Sequence, residues 1–341
     1  MPDPCRRSIS WTGHRGHGGS QSDHDHTLPH PLPRRPRRPR PEFPVKGVLT
    51  VAAVQATPVI LDAEATLAKT IGLLREAAAR GADLVVFPEA YFSLYPSGTW
   101  AHRATTWTDG AEELYARMWD SAVDVGGPIV QALAVTCAEL GIHVAVGVNE
   151  RIDARPGTLY NTLLVVGPGG VLLRHRKLMP TMHERVFHGQ GAGDDLDVVA
   201  LPGGARVGGL ICWENWMPLA RWRIHEGGPQ IWLAPTADDS HRWQAAMQYL
   251  ATEAGAFVVS VPQYLPASAY PDDFPMPLPD DVEVFGRGGV CVVGPTGQVV
   301  AGPVYDKEEM LVVSCDLGEA LAAKRYFDVA GHYARAEVLG H

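Results

Sequence analysis

Three short apolar runs in this 341-residue chain each end in a side chain able to take part in chemistry. LVVFPE ends at Glu89, VLLRHRK at Lys177 and VGGLIC at Cys212. Strand ends are where a rigid sheet can hold side chains toward a shared pocket, so an acid, an ammonium and a thiol in this setting form a coherent set. A free thiol has a pKa of about 8.5 and needs a base or a cation beside it to ionise near neutral pH. Glu89 can take the proton and Lys177 can favour the anion. Attack of that thiolate on a carbon–nitrogen multiple bond puts negative charge on the heteroatom. A fixed ammonium and a backbone N–H stabilise such charge, and losing one donor typically costs about 10²–10³ in rate.

Each residue also has an ordinary reading. Free cysteine is among the most buried residue types, and a glutamate after a strand is usually a surface carboxylate. Lys177 belongs to RHRK, and a basic run is usually a solvated face, although alternation along a strand turns every second member inward. A Cys-His mechanism is the rival chemistry. His183, His188 and His225 are available for it, but nothing in the sequence orients any of them toward Cys212.

The elements around these residues alternate in type. VLTVAAVQA reads as a strand, and DAEATLAKTIGLLREAAARGA places Leu67, Ile71, Leu74 and Ala78 at helical spacing, with Gly81 where a helix stops. DLVVFPE is a buried strand, and GPIVQALAVTCAELGI with HVAVGVNE repeats the helix-then-strand order. LYNTLLVVGPGGVLLRHRKL is a hairpin about Gly-Pro-Gly-Gly. ARVGGLIC is a strand, and WMPLARWRIHEGG is a helix with Pro218 in its first turn. IWLAPT, HRWQAAMQYLATEAG and FVVSV repeat strand, helix, strand, before the hairpin GGVCVVGPTGQVVAGP and a last strand, MLVVSCDL. Between them, PASAYPDDFPMPLPDDVEVF holds five prolines and reads as a surface loop or lid. Helices alternating with strands predict an α/β domain, and the two hairpins exclude a purely parallel sheet. The predicted architecture is two packed mixed sheets with helices outside.

Bulk properties bound the function. With 46% hydrophobic and 20% charged residues, the chain can fill one large core. No apolar stretch approaches the roughly 18–20 residues needed to span a bilayer, and the N-terminus has no apolar signal region. Cys5, Cys137, Cys212, Cys291 and Cys315 are scattered and form no CxxC pair, which fits a reducing, cytoplasmic setting better than a disulfide framework or a zinc site. Residues 1–46 carry nine Lys/Arg against four Asp/Glu, so the +5 tail leaves −14 on residues 47–341. That acidic body argues against nucleic acid as a partner. The tail is rich in His, Pro and Arg and reads as disordered. His24 with His26, or His14 with His17, could take up a metal, and RRPRRPR could touch an anionic surface, but a floppy tail gives neither a fixed geometry.

Taken together, VVFPEAYFSLYP, HRKLMPTMHERVFHGQG and GGLICWENWMPLAR, in that order, resemble the three motifs of the nitrilase superfamily. The resemblance runs from about residue 48 to 338 and includes RYFDVAGHYAR, which is similar to the tail motif of true nitrilases. It implies that Cys212 is the nucleophile, Glu89 the general base, and Lys177 the stabiliser of the tetrahedral intermediate. Glu184 matches the second glutamate, which positions substrate and lysine. The implied fold is an α-β-β-α sandwich over residues 47–341. Subunits of the family pair and often assemble further, which implies a homodimer building into a larger homo-oligomer, with about 318–341 at an interface.

Amide- and carbamoyl-cleaving members commonly carry aspartate two places after the nucleophile. This chain has Glu214 there, after Trp213, which resembles the nitrilase branch. The implied activity is hydrolysis of an organic nitrile to the carboxylic acid and ammonia, with no cofactor, no metal and no membrane or nucleic-acid partner. An amidase or N-carbamoyl hydrolase using the same residues is the nearest alternative, and an inactive scaffold or binding member the more distant one. Trp213, Tyr95, Trp100 and His188 lie beside the motifs as candidate pocket residues, each of the aromatics having core packing as its ordinary alternative. His188 stands where family nitrilases usually carry an aromatic ring, and Ala336 where their tail motif has proline.

Overall fold

The computed structural model describes residues 47–339, and the tail read into residues 1–46 lies outside them. The chain runs from strand Val48–Gln55 (β1) through helix Ala63–Ala79 (α1) to Leu84–Val86 (β2). Helices Gly98–Ala104 (α2), Ala111–Asp120 (α3) and Pro128–Leu140 (α4) lead to strands His143–Arg151 (β3), Leu159–Gly167 (β4) and Gly170–Arg176 (β5). A short helix, Glu184–Phe187 (α5), precedes strands Val199–Ala200 (β6) and Arg206–Gly209 (β7), and Cys212–Trp216 forms a 3₁₀ turn. Next come Pro218–Gly227 (α6), Ile231–Thr236 (β8), His241–Ala254 (α7), Phe257–Pro262 (β9) and Tyr264–Pro266 (β10). Strands Val284–Val293 (β11), Val299–Tyr305 (β12) and Glu309–Asp316 (β13) are followed by Leu317–Ala323 (α8) and Ala336–Leu339 (α9). No helix among the described residues is long and apolar enough to cross a membrane.

Local signals set the helix ends. The Asp62 carboxylate caps α1 by accepting the Ala65 N–H, satisfying one of the four free donors at a helix start. Pro128 and Pro218 open α4 and α6, where a missing N–H costs nothing, and Gly141 and Gly228 close them in the left-handed conformation. In α1 the buried stripe is Ala63, Thr66, Leu67, Thr70, Leu74 and Ala77. Ile71 and Ala78, expected on that stripe, lie at its half-buried margin.

The strands form two mixed sheets. One has the order β13-β1-β2-β3-β4-β5, with β1, β2 and β3 parallel and the remaining pairs antiparallel. The other has the order β10-β11-β9-β8-β7-β6, with β12 beside β11 and a parallel centre of β7, β8 and β9. Period-two alternation decides what each face buries. Val51, Ala53, Leu84 and Val86 of the first sheet meet Ile231, Leu233, Val259 and Val261 of the second in a shared inner core. Their neighbours Ala52, Val54, Val85 and Phe87 face outward onto α1 and α4. Trp232, Ala234 and Val258 face α6 and α7. Helix, sheet, sheet, helix is thus the layer order, and full burial of each Val, Leu or Ile contributes roughly 1.5–3 kcal/mol.

Three local expectations change. The strand before Cys212 stops at Gly209, because the next residues turn out of the ladder into the 3₁₀ turn. The loop expected over residues 266–285 narrows to 267–283 between β10 and β11, and Tyr270 and Met276 are buried in a satellite core with Trp100, Leu114 and Met118, so the segment is anchored by its own apolar residues. Helices α2 and α3, unread in the sequence, supply the other side of that core.

Candidate active site

Strands β2, β3 and β5 point the same way, which brings their C-terminal ends to one edge of the first sheet. Glu89 follows β2, and Lys177 follows β5, continuing its pairing by donating its N–H to the Asn161 carbonyl on β4 at 2.8 Å. Asn161 lies directly opposite Asn149 of β3. Because Leu163 and Ala145 face the inner core, Asn161 and Asn149 share that face by alternation, and a polar row succeeds the apolar one where the strands end. Cys212 reaches the same region from β7 of the opposing sheet, with Glu89 and Lys177 both within electrostatic reach of its thiol.

Close backbone approaches make this convergence possible. A Cβ at Gly147 would fall 2.4 Å from the Pro88 carbonyl and 2.7 Å from Glu89 Cα, so only glycine lets β3 lie against the turn that carries Glu89. At Gly209 a Cβ would sit 2.1 Å from the Leu233 carbonyl, and its absence lets β7 lie against β8 just before the cysteine. Cys212 itself has φ +52°, a left-handed conformation that costs an L-residue roughly 1–2 kcal/mol. Its thiol accepts the Thr236 hydroxyl from the end of β8 at 3.2 Å.

The charged groups are wholly buried and bound to one another. Lys177 Nζ donates to Glu89 Oε1 at 2.7 Å and to Glu184 Oε2 at 2.5 Å. Asn161 Nδ2 lies 2.7 Å from Glu89 Oε1 and 2.8 Å from Glu184 Oε1, tying the two carboxylates together. Glu184 also accepts the Tyr95 hydroxyl at 3.0 Å and the Thr181 N–H at 2.9 Å. His188 Nδ1 is 3.3 Å from Glu184 Oε1, while its Nε2 is 2.8 Å from Asn149 Oδ1. Glu89 Oε2 is buried and accepts no hydrogen bond from the described residues, which leaves one carboxylate oxygen able to take a proton.

These contacts push the two glutamates apart in acidity. Burial raises Glu89, and Glu184 nearby adds to this against the pull of Lys177, bringing its carboxyl to about 7. Burial also pushes Glu184 upward, but Lys177 and His188 outweigh it and hold the carboxyl far below the usual range. Lys177 is pulled down by burial and then raised beyond it by Glu89 and Glu184, so it stays charged. Burial and the Glu89 charge raise the Cys212 thiol, with partial offset from Lys177 and Thr236, and the resting sulfur keeps its proton. Two carboxylates in one cluster, one poised near neutrality and one held ionised, have the acidities that suit a base and an electrostatic anchor.

The remaining candidates separate. Tyr95 and His188 belong to the carboxylate cluster. Trp213 stacks on Trp216 with ring centroids 4.9 Å apart, and its indole N–H donates to Asp238 at 2.7 Å. Trp100 is not brought to the cluster; its indole donates to the Tyr270 hydroxyl at 3.0 Å inside the satellite core. Of the histidines considered for a Cys-His pair, His225 is committed to Glu253 at 3.2 Å and His183 packs on His102. Asn149, Asn161 and Thr236 went unread in the sequence. A polar residue at an inward position of an apolar strand, as in YNTLLV, is the signal that marks Asn161.

A two-sheet sandwich with a thiol, a lysine and two carboxylates at one end of its interior defines a class of hydrolytic enzyme acting on carbon–nitrogen bonds. The sequence profile of the carbon-nitrogen hydrolase family matches residues 50–325, and the chain belongs to that family. An aliphatic nitrilase of Sinorhizobium fredii (strain HH103) is 43% identical over 290 residues, 84% of this chain and 92% of that protein. Nitrilase 2 of Arabidopsis thaliana is 38% identical over 300 residues, 86% of this chain and 87% of its own. Among solved structures, Nit3 of Saccharomyces cerevisiae matches with a TM-score of 0.64 at 17% identity, covering 85% of this chain and 98% of its own. A superfamily protein of Xanthomonas campestris matches at 0.63, also with 17% identity, covering 83% and 96%. At such identity the structural likeness speaks for the fold alone.

Proposed function

We propose that the protein hydrolyses an organic nitrile to its carboxylic acid and ammonia, with Cys212 as nucleophile. The observation that carries this reading is the Glu89–Lys177–Glu184 cluster meeting the left-handed Cys212 turn, in a chain whose relatives are named nitrilases. Glu89 takes the thiol proton on its free oxygen as the sulfur attacks the nitrile carbon, and returning the proton to nitrogen gives a thioimidate. Lys177 faces the charge developing on that nitrogen. Water, deprotonated by Glu89, adds to the carbon; the C–N bond breaks, ammonia leaves, and an acyl-thioester remains. A second water cleaves the C–S bond, releasing the acid and restoring the thiol. Glu184 holds Lys177 in place and keeps it charged throughout, and Tyr95 and His188 hold Glu184.

In this reading the enzyme works in the cytoplasm as a homodimer that builds larger homo-oligomers. Exposed Leu321, Tyr326, Tyr333, Val338 and Leu339 support placing residues 318–341 at an interface. Sedimentation of the full chain against one truncated after Asp316 checks the assembly.

The activity is tested by ammonia release from aliphatic, aryl and arylacetonitriles, each paired with its amide. Ammonia from nitriles with little from amides is the expected result. Ammonia from amides alone would assign the same residues to an amidase.

A further inference from the structure

One buried ionic chain beside the catalytic cluster has no role in the steps above. Glu214, two residues beyond Cys212, accepts the Ile211 N–H at 2.8 Å and the Leu178 N–H at 2.6 Å. Ile211 immediately precedes Cys212, and Leu178 immediately follows Lys177. A single carboxylate therefore clasps the backbone beside each reacting residue, although those residues arrive from opposite sheets. His175 completes the chain. It lies two residues before Lys177 on the same buried face of β5, with Nε2 at 3.0 Å from Glu214 Oε2 and Nδ1 at 2.9 Å from Asp195 Oδ1. Asp195 Oδ2 in turn accepts the Arg176 N–H at 2.8 Å.

Each imidazole nitrogen thus faces a carboxylate oxygen. A neutral ring has one N–H and would aim a lone pair at one of them, so the geometry calls for both nitrogens to donate. The charged groups that face the ring are Glu214 from the nucleophile turn and Asp195 from the segment after α5. On β4 the opposite residue is Leu163.

We infer that Glu214, His175 and Asp195 form a positioning relay, in which a charged His175 braces Glu214 and thereby sets the Cys212 turn against the Lys177 strand. The inference rests on the reading that Cys212 and Lys177 act together. Burial pulls the His175 ring down, but Glu214 and Asp195 outweigh it and raise the ring to about 10, which keeps it charged at neutral pH. A buried ionic triad adds little stability over apolar residues of similar volume, so its place between the two reacting side chains points to geometry as its contribution. A displacement of about 1 Å in such an arrangement can cost roughly 10²-fold in rate.

The test compares kcat, KM, their pH dependence and thermal melting for the parent, Asp195→Asn, His175→Gln and Glu214→Gln. His175→Gln and Glu214→Gln should lower kcat by about 10²-fold and leave KM within about 3-fold. Asp195 is partly exposed, so Asp195→Asn should fold even if the inner variants do not. With one carboxylate gone, its ring loses its proton at lower pH, and the alkaline limb of kcat should fall by about one pH unit or more. Unchanged kcat and pH profile in folded Asp195→Asn, with only a lower melting temperature, would overturn the relay. So would losses confined to KM. The variants are assayed on whichever nitrile or amide the parent turns over, so an error in the substrate reading shows in the parent and an error in the relay only in the variants. Iodoacetamide alkylation of Cys212 across pH reads the same shift without substrate.

Discussion

The inner face of the sandwich is one surface with two regimes. At its centre Val51, Leu84, Leu163, Ile231 and Val259 are fully excluded from water and ask only to be packed. At the ends of the first sheet's strands, Glu89, Asn149, Asn161 and Lys177, joined by Glu184 from α5, are just as thoroughly buried. There every charge needs a counter-charge and nearly every polar atom a partner, because an unpaired buried charge costs several kcal/mol. Equal burial therefore has opposite consequences. The apolar centre sets how firmly the sheets hold together, and the polar end sets what they can do.

That contrast can be broken from either side. Cys212→Ala should reduce turnover by about 10⁴-fold or more while circular dichroism and melting stay close to the parent; substantial residual turnover would remove Cys212 from the mechanism. Lys177→Met should cost about 10²–10³-fold in kcat and, by leaving two carboxylates without their cation, about 3–5 kcal/mol of stability in urea titration. Ile231→Ala in the apolar centre should cost about 2–5 kcal/mol of stability with kcat of the folded enzyme within about 2-fold. Glu89 must be ionised to act as a base, so log kcat/KM should rise with pH through about 7. A limb at the ordinary carboxylate value near 4.5 would assign the base elsewhere. The smallest effect belongs to His188→Gln, which disturbs the contacts to Glu184 at 3.3 Å and Asn149 at 2.8 Å and should lower kcat by roughly 2–10-fold.

How much of this is written in the sequence depends on the range of the interaction. Glu89, Lys177 and Cys212 are legible because each closes an apolar run, and period-two alternation turns Lys177 inward while Arg174 and Arg176 look out. The same alternation buries His175, which stands two residues earlier in RHRK. Its role is hidden because it needs Glu214 and Asp195, 39 and 20 residues away. Asn149 and Asn161 become a pair only through the register of a hairpin, which its turn fixes and composition does not. Trp100 misleads for the converse reason. Proximity to a motif places an aromatic near the site in the chain, but α2 and the anchored loop draw it into a separate core. Those helices escape notice because α2 is only seven residues long and opens on Gly98, α3 follows Gly110, and Trp107 lies fully exposed between them.

The left-handed backbone at Cys212 carries a consequence for engineering. A side chain in that conformation is a thermodynamic burden that glycine would not carry, so Cys212→Gly should release about 1–2 kcal/mol of backbone strain, set against the packing it gives up, and abolish turnover. Screens of variant libraries for heat resistance alone would not reject such losses. Selection has to read turnover and stability together, because at this position relief of strain and turnover pull in opposite directions.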